Sequence, residues 1–297
     1  MYLKNFRLVY DENDILWSYE PVDKSSAIAN PYPFSIFPNK GLYNISFEKI
    51  TVLCGGNGSG KSTLLNIMAE KLGLKRIAPF NSSELFQYYV KSCAFEMGDD
   101  EEGIPYAIPD GSRIITSDDI FDYMLTARIN NSEFEKGKRE AVKDRYSKKY
   151  GSSVIMHSLD DYEELRLQIQ ARKSTMTYKK FVKQEVGEET RLVSNGETAL
   201  MYFEERLKND TLFLLDEPEN SLSPKMQLEL KRLIEEKAHY CGCQFVIATH
   251  SPFLLSLNPD FTKVYDLDSY PIKVQNWWEL ENVRTYYEFF KGNEKYF

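Results

Sequence analysis

The residues best suited to chemistry lie in a glycine-rich segment, residues 55–63, that matches the phosphate-binding pattern G-x-x-x-x-G-K-[ST] in full. The apolar, β-branched residues 50–54 before it predict a buried strand, and residues 64–69 after it predict a helix. In this context backbone N–H groups surround phosphate oxygens at a helix N-terminus. We expect Lys61 to reach the β- and γ-phosphates of a nucleotide and the Ser62 hydroxyl to bind Mg²⁺. The predicted nucleotide-binding residues here are Gly56, Asn57, Gly58, Ser59, Gly60, Lys61, Ser62 and Thr63.

A second group of reactive side chains closes the apolar run of residues 211–217, which ends in Asp216 and Glu217. This is the form of a Walker B element, at which a strand end places Asp216 beside the Mg²⁺ of a bound nucleotide. Glu217, next in the chain, can orient and polarise the attacking water. Because phosphoryl transfer depends mainly on positioning and charge stabilisation, these few groups are sufficient for nucleotide hydrolysis.

Two further elements could contact phosphate. Residues 244–252 include an apolar run that predicts a strand ending in His250, which can hydrogen-bond a γ-phosphate or hold the attacking water. Ser194 and Gly196 precede an apolar helix and fit a loop that offers donors to a phosphate, although an ordinary helix cap would have the same form. His157 and His239 lack such a context and are expected at the surface.

Composition limits the class of protein. The chain has 297 residues and a formal net charge of −8, which argues against a surface that is basic throughout and leaves room for a local basic patch. No run approaches the ~18–20 apolar residues of a membrane span, and the N-terminus lacks the apolar core of a signal peptide. We therefore expect a cytoplasmic protein without membrane insertion. The four cysteines do not suggest disulfides, and the pair Cys241 and Cys243 has no second pair at zinc-site spacing nearby.

The order of elements predicts a discontinuous α/β domain with a helical insertion. Residues 1–10 and 113–116 are expected to be strands, residues 98–112 a loop, and residues 85–97 either a strand or a short helix. The charged, breaker-poor stretch from 118 to about 184 predicts helices. The division follows as residues 1–117 with the phosphate loop, residues 118–190 as the helical insertion, and residues 191–297 with the carboxylates and His250.

The insertion carries two basic groups of residues. The usual explanation is a solvated helix face, and the alternative is a surface that contacts the phosphate backbone of DNA. The first group is Lys136, Lys138, Arg139, Lys143, Arg145, Lys148 and Lys149, and the second is Arg172, Lys173, Lys179, Lys180 and Lys183.

Taken in order, these elements resemble the ATP-binding-cassette (ABC) ATPases. Residues 194–197 look like the ABC signature, with Asn195 at the first glycine position, residues 219–224 look like the D-loop, and His250 looks like the switch histidine. Transporter subunits usually carry an aspartate where Pro224 stands. The segment D-E-P-E-x-x-L-x-P followed by A-T-H-S-P is similar instead to stand-alone bacterial predicted ATPases and to the RecF, SMC and OLD groups.

The resemblance implies a P-loop NTPase fold: a mixed sheet flanked by helices, with Walker A and Walker B on adjacent parallel strands and an inserted helical subdomain. It also implies a homodimer that closes around ATP and Mg²⁺, in which Ser194, Gly196 and Glu197 contact the nucleotide held by the other subunit. Hydrolysis through Glu217 would reopen the dimer, and the cycle would act on DNA or on a protein partner, as in DNA repair or phage defence.

Several points stay open in the sequence. Asp118 or Asp119 could take the Mg²⁺-sensing position where the family has a glutamine, or neither could. The adenine-stacking candidates are Tyr32, Phe34, Phe37 and Tyr43. The aromatic residues 286–290 suggest a packed helix, either in the core or at a dimer surface. Two other functions compete: a nucleotide-switched regulatory or scaffold subunit with little turnover and a nuclease or effector partner, and a transporter nucleotide-binding subunit.

Overall fold

The computed structural model of the chain describes residues 1–9, 32–34, 36–37, 40–80, 82–151, 161–173, 177–185 and 195–297. Its residues fall into two compact units, 1–121 with 195–297, and 122–194. The strands are β1 (Leu3–Arg7), β2 (Asn44–Ser46), β3 (Ile50–Cys54), β4 (Ala94–Met97), β5 (Arg113–Thr116), β6 (Leu212–Asp216), β7 (Gln244–Thr249), β8 (Thr262–Asp266) and β9 (Lys273–Val274). The α-helices are α1 (Lys61–Lys71), α2 (Glu84–Ser92), α3 (Ser117–Tyr150), α4 (Asp161–Lys173), α5 (Tyr178–Glu185), α6 (Asn195–Arg206), α7 (Pro224–Tyr240), α8 (Pro252–Leu255) and α9 (Glu281–Gly292).

The larger sheet of the first unit has the strand order β5-β6-β7-β3-β8-β9. Neighbouring strands run parallel from β5 to β8, and β9 pairs antiparallel with β8. Every residue of β3 and β7 is buried, as expected for central strands of a parallel sheet covered on both faces. The mixed, helix-flanked sheet that the sequence predicts is therefore confirmed.

One detail of the predicted topology is wrong. The strands that precede the phosphate loop and that carry Asp216, β3 and β6, are not neighbours, because β7 lies between them and pairs with both. The fully apolar character of all three strands shows that they are central but does not order them. Since parallel strands end at the same edge of a sheet, the loops after β3, β6 and β7 still meet there.

A smaller antiparallel sheet, with the order β2-β1-β4, is joined to the larger one through a buried glutamine side chain. Gln244 at the start of β7 accepts a hydrogen bond from the Leu3 N–H at 2.8 Å and donates one to the Leu3 carbonyl at 2.8 Å. Leu3 and Phe6 of β1 are fully buried in the core that also contains α1 and α2. Both polar ends of the glutamine side chain are thus satisfied within the protein, as buried polar groups require.

Most predicted elements are confirmed. The strand predicted for residues 1–10 is β1, residues 113–116 form β5, and no named helix or strand falls in 98–112. The ambiguous stretch from 85 to 97 contains both predicted forms, α2 followed by β4. The Ser83 hydroxyl accepts a hydrogen bond from the Phe86 N–H at 3.0 Å, and this N-cap fixes the start of α2.

Nearly all described residues of the second unit lie in helices, namely α3, α4 and α5. The Arg145 guanidinium of α3 lies 4.4 Å from the centre of the Phe181 ring of α5, a cation–π contact between the two helices. Two lysines of α3 are paired with carboxylates of the same helix, Lys138 with Glu135 at 2.8 Å and Lys148 with Asp144 at 2.7 Å. No helix in the described part of the chain is both long and apolar enough to cross a membrane.

The C-terminal aromatic segment forms a helix, α9, as predicted, but its aromatic side chains do not belong to the core. Tyr286, Tyr287, Phe289 and Phe290 are all exposed, whereas Val283 is the buried residue of the helix. Core packing is therefore wrong for this segment, and a dimer surface stays a prediction.

Candidate nucleotide-binding site

The phosphate loop joins β3 to α1 and turns within a few residues. The Ser59 N–H donates to the Gly56 carbonyl at 3.2 Å, and Gly60, the N-cap of α1, has φ 102°, in the left-handed region. A Cβ at position 60 would lie 2.9 Å from Ile36 Cγ2 and 3.0 Å from Phe37 Cε1. Both the backbone angle and the close packing therefore require glycine here.

Lys61 is almost fully buried, and its ammonium group lies against the loop. Lys61 Nζ donates to the Gly55 carbonyl at 2.7 Å and to the Gly56 carbonyl at 3.1 Å. A buried cation held only by carbonyl dipoles gains strongly from an anion placed beside it. The loop can therefore accept the phosphate groups of a nucleotide.

Ser62 and Asp216 meet across the sheet edge. Ser62 Oγ donates to Asp216 Oδ1 at 3.0 Å, although 154 residues separate them in the chain. Burial raises the pKa of Asp216 to about 6, against the opposing effect of the Ser62 hydrogen bond, and the charge of Glu217 raises it further. A hydroxyl and a carboxylate oxygen are ligands that Mg²⁺ prefers, and a cation there would offset the cost of a buried carboxylate. The residues present fit a magnesium ion.

Glu217 follows Asp216 and is held from two sides. Its Oε1 lies 2.8 Å from His250 Nε2, and its Oε2 accepts a hydrogen bond from Asn220 Nδ2 at 3.1 Å. The Glu217 backbone has φ 48°, which is uncommon for a residue other than glycine, and its N–H donates to the Ala248 carbonyl at 2.9 Å. Strained backbone of this kind is found where a side chain must be aimed.

A cavity of about 940 Å³ opens beside Ser62 and Asp216. Asp118 and Tyr32 line it, and the Tyr32 hydroxyl donates to Thr63 Oγ1 at 3.2 Å. Of residues 196–198, none lines this cavity. The cavity is therefore bounded on the phosphate-loop side of the site and not by Gly196 or Glu197.

The structure distinguishes Asp118 from Asp119, the two candidates for the Mg²⁺-sensing position. Asp119 is buried and caps backbone groups, accepting from the Ala78 N–H at 2.8 Å and the Thr116 N–H at 2.7 Å. Asp118 faces the cavity. Among the adenine-stacking candidates, Phe34 and Phe37 belong to the buried core and Tyr43 is half-buried, which leaves Tyr32 as the candidate that lines the cavity.

A match to a known family covers part of this site. Residues 191–256 match the model of the family described as AAA domain, putative AbiEii toxin, Type IV TA system. That segment contains α6, both carboxylates and His250, and the phosphate loop lies outside it. The match covers 66 of the 297 residues and is consistent with the resemblance to P-loop ATPases that the motifs carry.

Several solved structures are similar to this chain, all at low identity. The SMC head domain from Thermotoga maritima is 14% identical, with 93% of this chain and 99% of that chain covered and a TM-score of 0.40. The Smc head domain with an extended coiled coil bound to the C-terminal domain of ScpA, from Pyrococcus furiosus, is 14% identical, with 78% and 91% covered and a TM-score of 0.41. The dimeric ATP-binding cassette MJ0796 bound to ADP and Pi is 14% identical, with 75% and 83% covered and a TM-score of 0.33. No curated protein matches the sequence.

The predicted signature lies at the start of α6. Ser194 is outside the described residues, Gly196 is half-buried, and Glu197 is exposed. A Cβ on Gly196 would lie 3.4 Å from Met226 Cγ and 3.9 Å from the Ser221 carbonyl oxygen, so this helix start adjoins the loop after β6. The roles of these residues stay a prediction.

The sequence did not predict two side chains that contact the phosphate loop. Asp268 Oδ2 accepts a hydrogen bond from the Gly56 N–H at 2.6 Å, and Lys40 Nζ donates to the Ser59 and Leu267 carbonyls at 2.9 Å each. No local pattern marks Asp268 or Lys40, because each acts on a loop far away in sequence. Glu219 was expected only as the first residue of the D-loop, although its place two residues after Glu217 was a usable signal.

Metal binding by cysteine finds no support. The described residues hold no group of three or more histidine, cysteine, aspartate or glutamate side chains that could bind a metal ion. Burial raises the pKa of Cys54 and of Cys93 to about 12 each, so both are protonated thiols in the core. His239 is exposed, as predicted, and His157 lies outside the described residues.

Proposed function

We propose that this protein binds ATP with Mg²⁺ and hydrolyses it, as a homodimer that closes around the nucleotide. The observation that carries the proposal is that two functional pairs lie at one sheet edge, Ser62 with Asp216 and Glu217 with His250. Asp216 is the last residue of β6, and Glu217 and His250 directly follow β6 and β7. Ser62 lies in the first turn of α1, after the phosphate loop that follows β3. Metal binding, phosphate binding and water activation therefore belong to one place.

Each group has a defined role in this proposal. The loop N–H groups and the Lys61 ammonium bind the β- and γ-phosphates, and Ser62 and Asp216 hold the magnesium ion, which neutralises phosphate charge when bound. Glu217 orients the attacking water and accepts its proton. His250 lies 2.8 Å from Glu217 and fixes that carboxylate at the γ-phosphate side. A positioned base of this kind contributes about 10²–10⁴-fold in rate.

The dimer part of the proposal depends on the position of Gly196. The start of α6 adjoins Ser221 and Met226, and residues 196–198 do not line the cavity beside Ser62. A helix start that reaches no nucleotide in its own subunit can serve the nucleotide of a second copy. Gly196, Ser194 and Glu197 would then act across a two-fold symmetric interface.

The cycle is proposed to act on DNA or on an effector protein. The lysine- and arginine-rich helix α3 is a candidate DNA contact, but Lys138 and Lys148 are already paired with carboxylates. The family match of residues 191–256 to a putative AbiEii toxin model favours a role in defence over one in transport. Pro224 in the D-loop and the long helical insertion also weigh against a transporter subunit.

One observation favours the competing function, a nucleotide switch with little turnover. Both oxygens of Glu217 are engaged, one by His250 and one by Asn220. Each oxygen keeps a second lone pair for water, but a carboxylate held from both sides cannot turn freely toward that water. Turnover would be slow if hydrolysis needs a different orientation of Glu217 that is reached only with an external partner.

The deciding experiment is ATP turnover of the purified protein at saturating Mg²⁺, with Glu217→Gln as the blank. Turnover is measured with and without double-stranded DNA across a salt series. Hydrolysis above the blank supports the ATPase, and DNA stimulation that declines as salt rises assigns α3 to phosphate contact. Turnover equal to the blank overturns hydrolysis and leaves the switch. Turnover unaffected by DNA removes DNA from the proposal and leaves a protein partner.

A further inference from the structure

The loop after β6 contains a third carboxylate that the roles above do not use. Glu219 is 9% exposed and accepts three hydrogen bonds at one oxygen, Oε1. The donors are Thr249 Oγ1 at 2.6 Å, the His250 N–H at 2.8 Å and the Ser251 N–H at 3.1 Å. Thr249 is the last residue of β7 and His250 and Ser251 follow it, so one carboxylate oxygen holds the peptide that carries the His250 side chain.

The three donors are themselves arranged by local structure. The Ser251 N–H also donates to Thr249 Oγ1 at 2.9 Å, and Ser251 Oγ caps α8 by accepting from the Phe253 and Leu254 N–H groups. The chain therefore turns sharply between β7 and α8, with two consecutive N–H groups directed at Glu219. Loss of the carboxylate would leave buried donors without an acceptor, and the turn would have to move.

The loop that supplies Glu219 is also constrained. Glu217 and Ser221, on either side, have left-handed backbone angles, with φ 48° and φ 72°. Neither is glycine, so surrounding contacts must maintain these conformations. Glu219 is the side chain that ties the middle of this loop to β7. It thereby relates the backbone of Glu217 to the backbone of His250.

We propose that Glu219 is a positioning residue for hydrolysis, which sets the His250 ring against the Glu217 carboxylate through the end of β7. The inference rests on the proposed function, because it assumes that the Glu217–His250 pair activates water. Glu219 Oε2 is buried and has no hydrogen-bond partner among the described residues. The positioning therefore acts through Oε1, and a glutamine that keeps that oxygen can preserve it.

The first test compares Glu219→Ala with Glu219→Gln. We expect alanine to lower kcat for ATP at least ~10-fold with KM within twofold of wild type, because misplacement acts on the reacting groups and not on nucleotide binding. Glutamine is expected to retain kcat within ~3-fold, with a lower melting temperature because its amide meets no acceptor. Alanine with kcat within twofold of wild type overturns the inference, as does glutamine that loses as much as alanine.

Two further variants provide a second, independent test and a control. Thr249→Val removes one donor to Glu219 at nearly constant volume and is expected to lower kcat ~2–5-fold, even if Glu219→Ala fails to fold. Glu235→Ala is the matched control, since Glu235 also accepts a backbone N–H, from Asn258 at 2.9 Å, but on the far end of α7. Its kcat should stay at the wild-type value. A Thr249→Val protein with unchanged kcat counts against the inference.

A spectroscopic measurement separates failure of this inference from failure of the proposed function. The chain has three histidines, so ring ¹⁵N signals can be assigned with a His250→Gln variant. Glu219→Ala should shift the His250 signals and leave those of exposed His239 unchanged. If wild type shows no turnover, hydrolysis fails while the signals still test positioning. Unchanged His250 signals overturn the positioning role.

Discussion

Around residues 55–63 the charged groups of the site contact one another or the loop backbone, whereas the start of α6 lies beside the loop after β6. Lys61 holds two loop carbonyls, and Asp216 accepts from Ser62 at 3.0 Å. At the other region, Gly196 is half-buried beside Ser221 and Met226, and residues 196–198 do not line the cavity. The first region suits phosphate and a metal ion, and the second lies apart from that cavity.

This difference separates the groups that one subunit supplies from those that a second copy would supply in the proposed dimer. Metal-binding and water-orienting groups are positioned by parallel strands that end at one edge, so one subunit supplies all of them. The α6 region ends no strand of that sheet, and in the proposed dimer it would contact the nucleotide of the second copy. Variants that affect one region and spare the other can test whether the two are halves of one site.

The largest effect is expected at Lys61. Lys61→Ala removes the buried cation and should weaken ATP binding by about 10²–10³-fold, because no other side chain in the loop neutralises phosphate charge. Binding is measured by calorimetry with Mg²⁺. Lys71→Ala, in the last turn of the same helix, is the control and should bind as wild type does. A Lys61→Ala protein with unchanged affinity would place the phosphates elsewhere.

Glu217→Gln should separate binding from chemistry. We expect turnover to fall by about 10²–10³-fold with ATP affinity retained, since the amide cannot accept the proton from water. With ATP bound and not hydrolysed, the variant should accumulate as a dimer, seen by light scattering at saturating Mg-ATP. Glu236→Gln, on the exposed side of α7, is the matched control. A Glu217→Gln protein that remains monomeric excludes the sandwich.

The third prediction joins the two regions. Gly196→Glu should abolish turnover and preserve ATP binding, because a charged side chain at the start of α6 repels the phosphates of the nucleotide in the second copy but leaves the phosphate loop of its own subunit intact. An equal mixture of Gly196→Glu with Lys61→Ala should regain roughly a quarter of wild-type turnover, since half of the dimers contain one complete site. A mixture no more active than its components would show that the regions are not complementary halves.

Acid pH should weaken the metal site. Burial raises the pKa of Asp216 to about 6 from its ordinary 3.8, so between these values the folded protein holds a proton that the unfolded chain has released. This group therefore stabilises the fold most at low pH, and that contribution is lost as pH rises through 6. Mg²⁺ competes with the proton, and Mg²⁺-dependent ATP affinity should fall about 10-fold from pH 7 to pH 5. Asp216→Asn should show low affinity at both values, and a wild type without pH dependence would contradict the metal role.

The smallest effect is expected at Asn220, whose amide donates to Glu217 at 3.1 Å near the surface. If that bond aims Glu217, Asn220→Ala should lower turnover ~2–5-fold, as expected for one exposed hydrogen bond. If it restrains a switch, turnover should rise instead. Steady-state kinetics with equal Mg-ATP distinguish the two. An unchanged rate would remove Asn220 from both accounts.

Local patterns were sufficient for most of the phosphate-loop region. Residues 50–54 form the predicted strand residue for residue, because runs of apolar side chains are typical of central parallel strands. The strand predicted to end in His250 ends one residue earlier, at Thr249. The C-terminal helix was also predicted, yet its exposed aromatic residues show that pattern alone does not decide burial. The prediction that β3 and β6 are neighbours was wrong, because the apolar pattern indicates central strands but not their order.

By itself the sequence determined the phosphate loop, its flanking strand and helix, the two carboxylates at a strand end and His250, since each depends on neighbours within a few residues. Only the tertiary structure decided that β7 lies between the two motif strands, that Asp118 and not Asp119 faces the cavity, and that Glu219 holds the end of β7. These outcomes depend on contacts between residues far apart in the chain. Such contacts arise from the packing of whole elements, which no local spacing encodes.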